Sequence, residues 1–304
     1  MKNTVYFKQA KLLLQVLPYI EKTGNFALKG GTAINLFIRD MPRLSVDIDL
    51  TYIPLNSREE ALADISKSLQ EIAARARRFL GAKVEEQNLK GTDQTVKLLV
   101  RQNEATIKVE PNLVLRSRLY PPIQATLSPK AEELFELSVS SRLMSLPDIY
   151  GGKICAALDR QHPRDFFDVK FLLDNEGLTD EIRRAFVVYL ASHDRPMHEV
   201  LKPTLKDMRP AFEAEFSGMT LEPVDLEQLV ETREKLLRLI HVGLTNSEKN
   251  FLLSLKDGEP DWKLLELPGV ERLPGIRWKL ENIRQMAPKK RSEQSARLRK
   301  VLGL

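Results

Sequence analysis

Leu44-Ser45-Val46-Asp47-Ile48-Asp49-Leu50-Thr51-Tyr52 decides how the rest of this 304-residue chain is read. Apolar and polar residues alternate along it without a break, the period-2 pattern of a strand with one face in a core. Val46 and Ile48 take the core side, while Asp47 and Asp49 share the other with backbones ~6–7 Å apart. Strands disfavour aspartate, and two ionised carboxylates on one face repel. Something positive should neutralise them. A divalent cation is the natural candidate, because convergent carboxylates can hold a pair of Mg²⁺ ions ~3.5–4 Å apart while waters and substrate phosphates complete their shells. For Asp-x-Asp taken alone, an exposed polar strand face is the plain alternative.

Upstream, Phe7 to Lys22 repeats apolar residues at helical spacing through Leu12, Leu13, Val16, Leu17 and Ile20, and Gly24 stops it. Phe26-Ala27-Leu28 reads as a short buried strand running into Lys29-Gly30-Gly31-Thr32, a tight turn that opens a helix over Ala33–Ile38. With only 14 glycines in the chain, below the ~7% typical of proteins, a pair of them marks a real bend. Missing side chains let the backbone approach a phosphate, and the amides of the following helix start suit an anion. An ordinary strand-to-helix turn would look the same. The dinucleotide fingerprint Gly-x-Gly-x-x-Gly is absent.

Downstream, Ser57 and Glu60 form a capping-box pattern that opens a helix to about Phe79. Three strands are expected over Lys83–Asn88, Gln94–Arg101 and Ala105–Leu113, joined as hairpins at Gly91 and Asn103. Glu110 lies on the last of them and becomes a third carboxylate if that strand neighbours Asp47. Pro111 follows it directly, which should end pairing early. The stretch from Leu134 to Pro147 has no clear period. Beyond it Ile149–Arg160, Arg164–Leu173, Thr179–Ala191 and Asp225–Val242 read as helices. The fold class is therefore α/β (α+β), with a first domain over 1–125 and a mainly helical domain over 126–304.

The helical part carries a second glycine pair, Gly151-Gly152, before Lys153. A Walker A loop is excluded by Pro147 and Ile154 at its required glycine and Ser/Thr positions. Two glycines inside a helix cost ~1 kcal/mol each relative to alanine, so another helix or a ligand should approach closely there. Pro163 fits a first helical turn, and Asp165 and Asp168, three apart, share one side. Lys153 could reach a triphosphate while Arg164 or one of the aspartates orients its neighbours. Ion pairs on a helix surface are the alternative.

Composition excludes whole classes. Hydrophobic content of 42% with 29% charged residues is globular, and no apolar run approaches the ~18–20 residues of a membrane span. No secretory signal pattern opens the chain, so a cytoplasmic location is expected. One cysteine, Cys155, excludes an internal disulfide and a Cys-rich zinc site, and four scattered histidines have no metal-ligand spacing. The net charge is 47 − 42 = +5, a mild excess concentrated in Lys289, Lys290, Arg291, Arg297, Arg299 and Lys300. That run suits a phosphate backbone, or else is a disordered, solvated tail.

Taken together, Gly30-Gly31-Thr32-Ala33, Arg43-Leu44-Ser45-Val46-Asp47-Ile48-Asp49-Leu50, Gly152-Lys153 and Arg164-Asp165-Phe166-Phe167-Asp168 resemble the AbiEii/AbiGii-type nucleotidyltransferases. These are toxins of abortive-infection and toxin–antitoxin systems, the MenT toxins among them. The resemblance covers about Phe26 to Leu173. It implies a polymerase-β-like core with a mixed sheet, followed by a helical domain. It further implies metal binding by Asp47 and Asp49, and nucleotide binding by Gly30, Gly31, Thr32 and Ser45. Lys153 and Asp168 match its later essential positions, and Arg43, Arg164 and Asp165 look like supporting residues. The expected activity is Mg²⁺-dependent transfer of NMP from an NTP, with Mn²⁺ as a substitute, to an RNA acceptor, the tRNA 3′ end in several relatives. An antitoxin encoded nearby is the expected partner. A protein or small-molecule acceptor, or a non-catalytic nucleotide- or RNA-binding module, stands as the alternative.

Overall fold

The structure is a computed structural model that describes residues 4–304. The chain divides into two compact units. The first runs to Ser145 and takes back Gly218–Pro223, and the second holds Leu146–Ser217 and Val224–Leu304.

The first unit is built on a seven-stranded mixed sheet. Its strands are β1 (Phe26–Lys29), β2 (Asp47–Tyr52), β3 (Lys83–Asn88), β4 (Thr95–Gln102), β5 (Ala105–Pro111), β6 (Ile123–Thr126) and β7 (Ser140–Leu143). They lie in the order β3-β4-β5-β2-β1-β7-β6. The hairpins β3–β4 and β4–β5 form as the turn residues imply. β2 pairs antiparallel with β1 and parallel with β5. Helices α1 (Val5–Glu21) and α3 (Arg58–Leu80) pack on the sheet. Leu13, Leu17, Ile65, Leu69 and Ile72 are buried with Ile48, Leu50, Leu98, Val100, Ile107 and Val109. Each such side chain contributes about 1.5–3 kcal/mol on leaving water, and this shared core fixes the register of β2. The Ser57–Glu60 capping box starts α3, and Gly81 in the left-handed conformation ends it.

Three expectations change. The sheet unit extends past the division expected at 125, because β7 pairs parallel with β1 and β6 pairs with β7. The helix after the glycine pair begins at the glycines themselves, as α2 (Gly30–Ala33), and widens into a π-turn over Ile34–Ile38. There the Arg39 amide donates to the Ile34 carbonyl at 2.7 Å, and such wide turns gather at functional sites. Finally, β2 begins at Asp47 instead of Leu44. Pro42, Arg43 and Leu44 spend their backbone bonds on the returning segment, with the Leu44 amide on Met219 O at 3.0 Å and the Leu221 amide on Pro42 O at 2.8 Å.

A short helix α4 (Pro129–Phe135) completes the first unit. The second unit is helical. It comprises α5 (Leu146–Arg160), α6 (Pro163–Asp174), α7 (Asp180–Ala191), the short α8 (Met197–Leu201) and α9 (Arg209–Ala211), α10 (Leu226–Gly243), α11 (Asn246–Asp257), α12 (Pro274–Arg284) and α13 (Pro288–Leu302). α5 packs along α7 and against α6. The basic run at the C-terminus is ordered α13, anchored by buried Leu298 and Leu302. No helix among the described residues is long and apolar enough to cross a membrane.

Candidate active site

In the first unit the residues expected to handle nucleotide gather around one bend. Asp47 and Asp49 open β2 with partly exposed side chains, while Ile48 and Leu50 between and beyond them are buried. The alternation read from the sequence therefore holds over Asp47–Leu50 and fails on either side of it, where Ser45 and Thr51 are buried and Val46 is partly exposed instead of lying in the core. Gly30 has φ +69°, and a Cβ on it would stand 3.1 Å from the Asp49 Cγ with a carboxylate oxygen closer still. Two constraints thus disfavour other residues at position 30: left-handed backbone and the Asp49 carboxylate lying over it. A Cβ on Gly31 would meet Arg43 Nη2 at 2.6 Å and Ser45 Oγ at 3.1 Å. The bend is thus lined by an acid on one glycine, and by a guanidinium and a hydroxyl on the other.

Thr32 locks the bend to the strand. Its Oγ1 lies 2.9 Å from Ser45 Oγ and donates to the Asp47 carbonyl at 2.6 Å. Arg43 is buried and donates from Nη1 to Leu44 O at 2.9 Å. The amides that open α2 have no partner earlier in the helix, as at any helix start.

Register supplies what the sequence could not. Lys29 faces Asp49 across β1–β2. Its ammonium is pushed below the ordinary lysine range by burial, which the Asp49 charge opposes. Glu110 faces Asp49 from the other side, on β5. Pairing continues through Pro111, opposite Leu50, so the proline does not shorten the strand before Glu110. The Glu110 carboxylate is half-exposed and bound to Lys97 at 3.0 Å. Among the described residues no group of three or more His, Cys, Asp or Glu forms a metal cage. Two hard-oxygen carboxylates at a strand start, beside a bend that leaves the Asp49 carboxylate room, suit a cation that completes its shell with water and phosphate.

In the second unit, Lys153 lies between two acids of α6. Its Nζ is 2.8 Å from Asp168 Oδ2 and 3.2 Å from Asp165 Oδ1. The lysine side chain is 7% exposed and the acids 3% and 0%, so this is a buried cluster and not a surface ion pair. The spacing of Asp165 and Asp168 does what i,i+3 spacing implies. Arg160, which the sequence did not single out, adds a bond to Asp165 Oδ1 at 2.9 Å. Arg164 points elsewhere, to Glu215 at 3.4 Å. The glycine pair is explained by a helix: a Cβ on Gly151 would stand 2.8 Å from the Ala185 and Phe186 backbone of α7, and Gly152 faces the Tyr189 ring.

The two clusters thus contain the residues singled out for chemistry except Arg164, whose side chain pairs with Glu215. Lys29, Lys97 and Arg160 join them, and only strand register or helix packing could have found these three.

No curated protein matches the chain in sequence. Among solved structures, MenT4, a nucleotidyltransferase toxin from Mycobacterium tuberculosis H37Rv, is similar in fold, with a TM-score of 0.62 at 14% identity over 92% of this chain and 93% of that one. The family model described as nucleotidyl transferase AbiEii toxin, type IV TA system, matches residues 11–282. The chain belongs to the AbiEii family of nucleotidyltransferase toxins of type IV toxin–antitoxin systems.

Proposed function

We propose that the protein transfers a nucleoside monophosphate from an NTP to an RNA acceptor, the 3′ end of tRNA, and that an antitoxin restrains it. The observation that carries the reading is the pairing of Asp47 and Asp49 on one face with the Gly30-Gly31 bend packed on Asp49, Arg43 and Ser45.

In the reaction, the acceptor hydroxyl oxygen bonds to the α-phosphorus and loses its proton to solvent. The bond between the α-phosphorus and the bridging oxygen breaks, and pyrophosphate leaves. The opening amides of α2, Ser45 and Arg43 bind the triphosphate, because donors and a fixed positive charge meet its oxygens at a bend with no side chains in the way. Asp47 and Asp49, with Glu110 as the further acid in register, would hold Mg²⁺. When bound, the cation supplies Lewis-acid activation of the hydroxyl and charge neutralisation at the pyrophosphate. Lys153 and Asp168 belong to the same reaction, with Asp165 and Arg160 fixing the ammonium and Arg164 as a supporting cation. The exposed cations of α13, held as an ordered face, favour a polyanionic acceptor over a small molecule.

The test is incubation with each labelled NTP, Mg²⁺ and total cellular RNA. Label is expected in the tRNA fraction, dependent on the divalent cation. Label in protein, or bound nucleotide without turnover, would overturn the RNA reading.

A further inference from the structure

The open face of the sheet carries an ordered row of charges. Across β4, β5, β2 and β1, the residues in one register row are Lys97, Glu110, Asp49 and Lys29. Neighbouring strands lie ~4.8 Å apart, and residues directly opposite point to the same side. The row is therefore an ammonium, two carboxylates, and an ammonium. Each acid has its own lysine on its outer side: Lys97 on Glu110 at 3.0 Å, and Lys29 opposite Asp49. Repulsion between the neighbouring carboxylates is thus already offset from within the chain.

We propose that Lys29 and Lys97 are resident counter-ions of this row, which a divalent cation entering at Asp47 and Asp49 must displace, so that these two lysines set the affinity of the site for its metal. The inference rests on the reading of Asp47 and Asp49 as the metal-holding pair. It adds that the free protein binds the cation weakly by construction. A nucleotide-borne cation, arriving with phosphates that can take up the displaced ammoniums, is then favoured over the bare ion.

The test measures Mn²⁺ binding to the nucleotide-free protein by the loss of the free-ion paramagnetic resonance signal. Wild type is compared with Lys29→Met, Lys97→Met, Asp49→Asn and, as a control on the outermost strand of the same face, Lys83→Met. Affinity should rise about tenfold in Lys29→Met and about threefold in Lys97→Met, because Lys29 lies directly opposite Asp49 whereas Lys97 is paired to Glu110, one strand further away. Lys83→Met should leave it unchanged, and Asp49→Asn should abolish the site. Binding that survives in Asp49→Asn overturns the metal site itself, and this inference with it. If Asp49→Asn removes binding but neither lysine variant strengthens it, or Lys83→Met strengthens it equally, the counter-ion assignment alone fails. Lys97 is a partly exposed strand residue whose replacement leaves the core intact, so the assignment stays open to refutation even where Lys29→Met does not fold.

Discussion

The two charged clusters of this protein solve opposite problems. Around β2 the acids are partly exposed, and the Asp49 carboxylate lies over a glycine bend. On α5 and α6 the ammonium of Lys153 and the carboxylates of Asp165 and Asp168 are sealed from water, so their charges are committed to each other. The glycine pairs repeat the contrast. Gly30 makes room for the end of a side chain that can move, and Gly151 makes room for the backbone of α7, which cannot. Similar residue types are thus partly exposed beside a bend in one unit and buried in mutual ion pairs in the other.

The largest effect should come from Asp47→Asn. Removing one charge while keeping the shape should lower nucleotidyl transfer by about a hundred- to a thousandfold. The thermal midpoint should hold or rise slightly, because a like-charge repulsion disappears. A fall in stability matching the fall in activity would mean that the open cluster is structural after all, and the contrast would be lost.

Lys153→Met should lower stability as well as transfer. Two buried carboxylates would lose their shared cation, at a cost of about 3–5 kcal/mol in a denaturant titration. Lys153→Met combined with Asp168→Asn should recover part of that stability without recovering transfer. If the single variant unfolds at the wild-type midpoint, the cluster is less committed than its burial indicates.

The glycines sharpen the comparison at a smaller scale. Gly151→Ala should cost about 1–3 kcal/mol by overpacking α5 against α7, with transfer per folded molecule unchanged. Gly30→Ala should cost about 1–2 kcal/mol in left-handed strain. It should also lower transfer about tenfold or more by pushing Asp49 aside. Equal losses of activity in both would erase the distinction.

What was legible in the sequence follows the same division between local and non-local physics. The alternation at Asp47 and Asp49, the capping box at Ser57 and the i,i+3 pair Asp165–Asp168 are encoded within a few residues, and each formed as read. Lys29 and Lys97 could not be placed, because their partners depend on which strands become neighbours. β2 starts late because residues 42–44 pair with a segment some 175 positions further on, which no local pattern records. β6 and β7 were missed because four-residue strands are too short to establish a period. Gly151 announced a close approach, but only packing could say that a helix makes it.

The smallest expected effect belongs to a third charged residue, Lys279 on α12, which tests how far burial alone commits a charge. Its Nζ donates to the carbonyls of His193, Asp194 and Arg195 at 2.5, 3.1 and 3.0 Å, so it pins the chain just after α7. It has neutral carbonyls where Lys153 has carboxylates. Burial, with the Lys256 charge added, pushes its pKa down to about 8, and Asp194 only partly opposes this. The unfolded chain keeps the ordinary lysine value near 10.4. Between pH ~8 and ~10.4 the unfolded state therefore binds more protons than the folded one, and stability attributable to this group rises with pH across that window. Lys279→Met should flatten that rise in denaturant titrations run at successive pH values, while costing about 1 kcal/mol or more near pH 7 through the lost bonds to carbonyls. An unchanged pH slope would mean that the three carbonyls hold the ammonium as firmly as carboxylates hold Lys153, and that burial is not what separates the clusters.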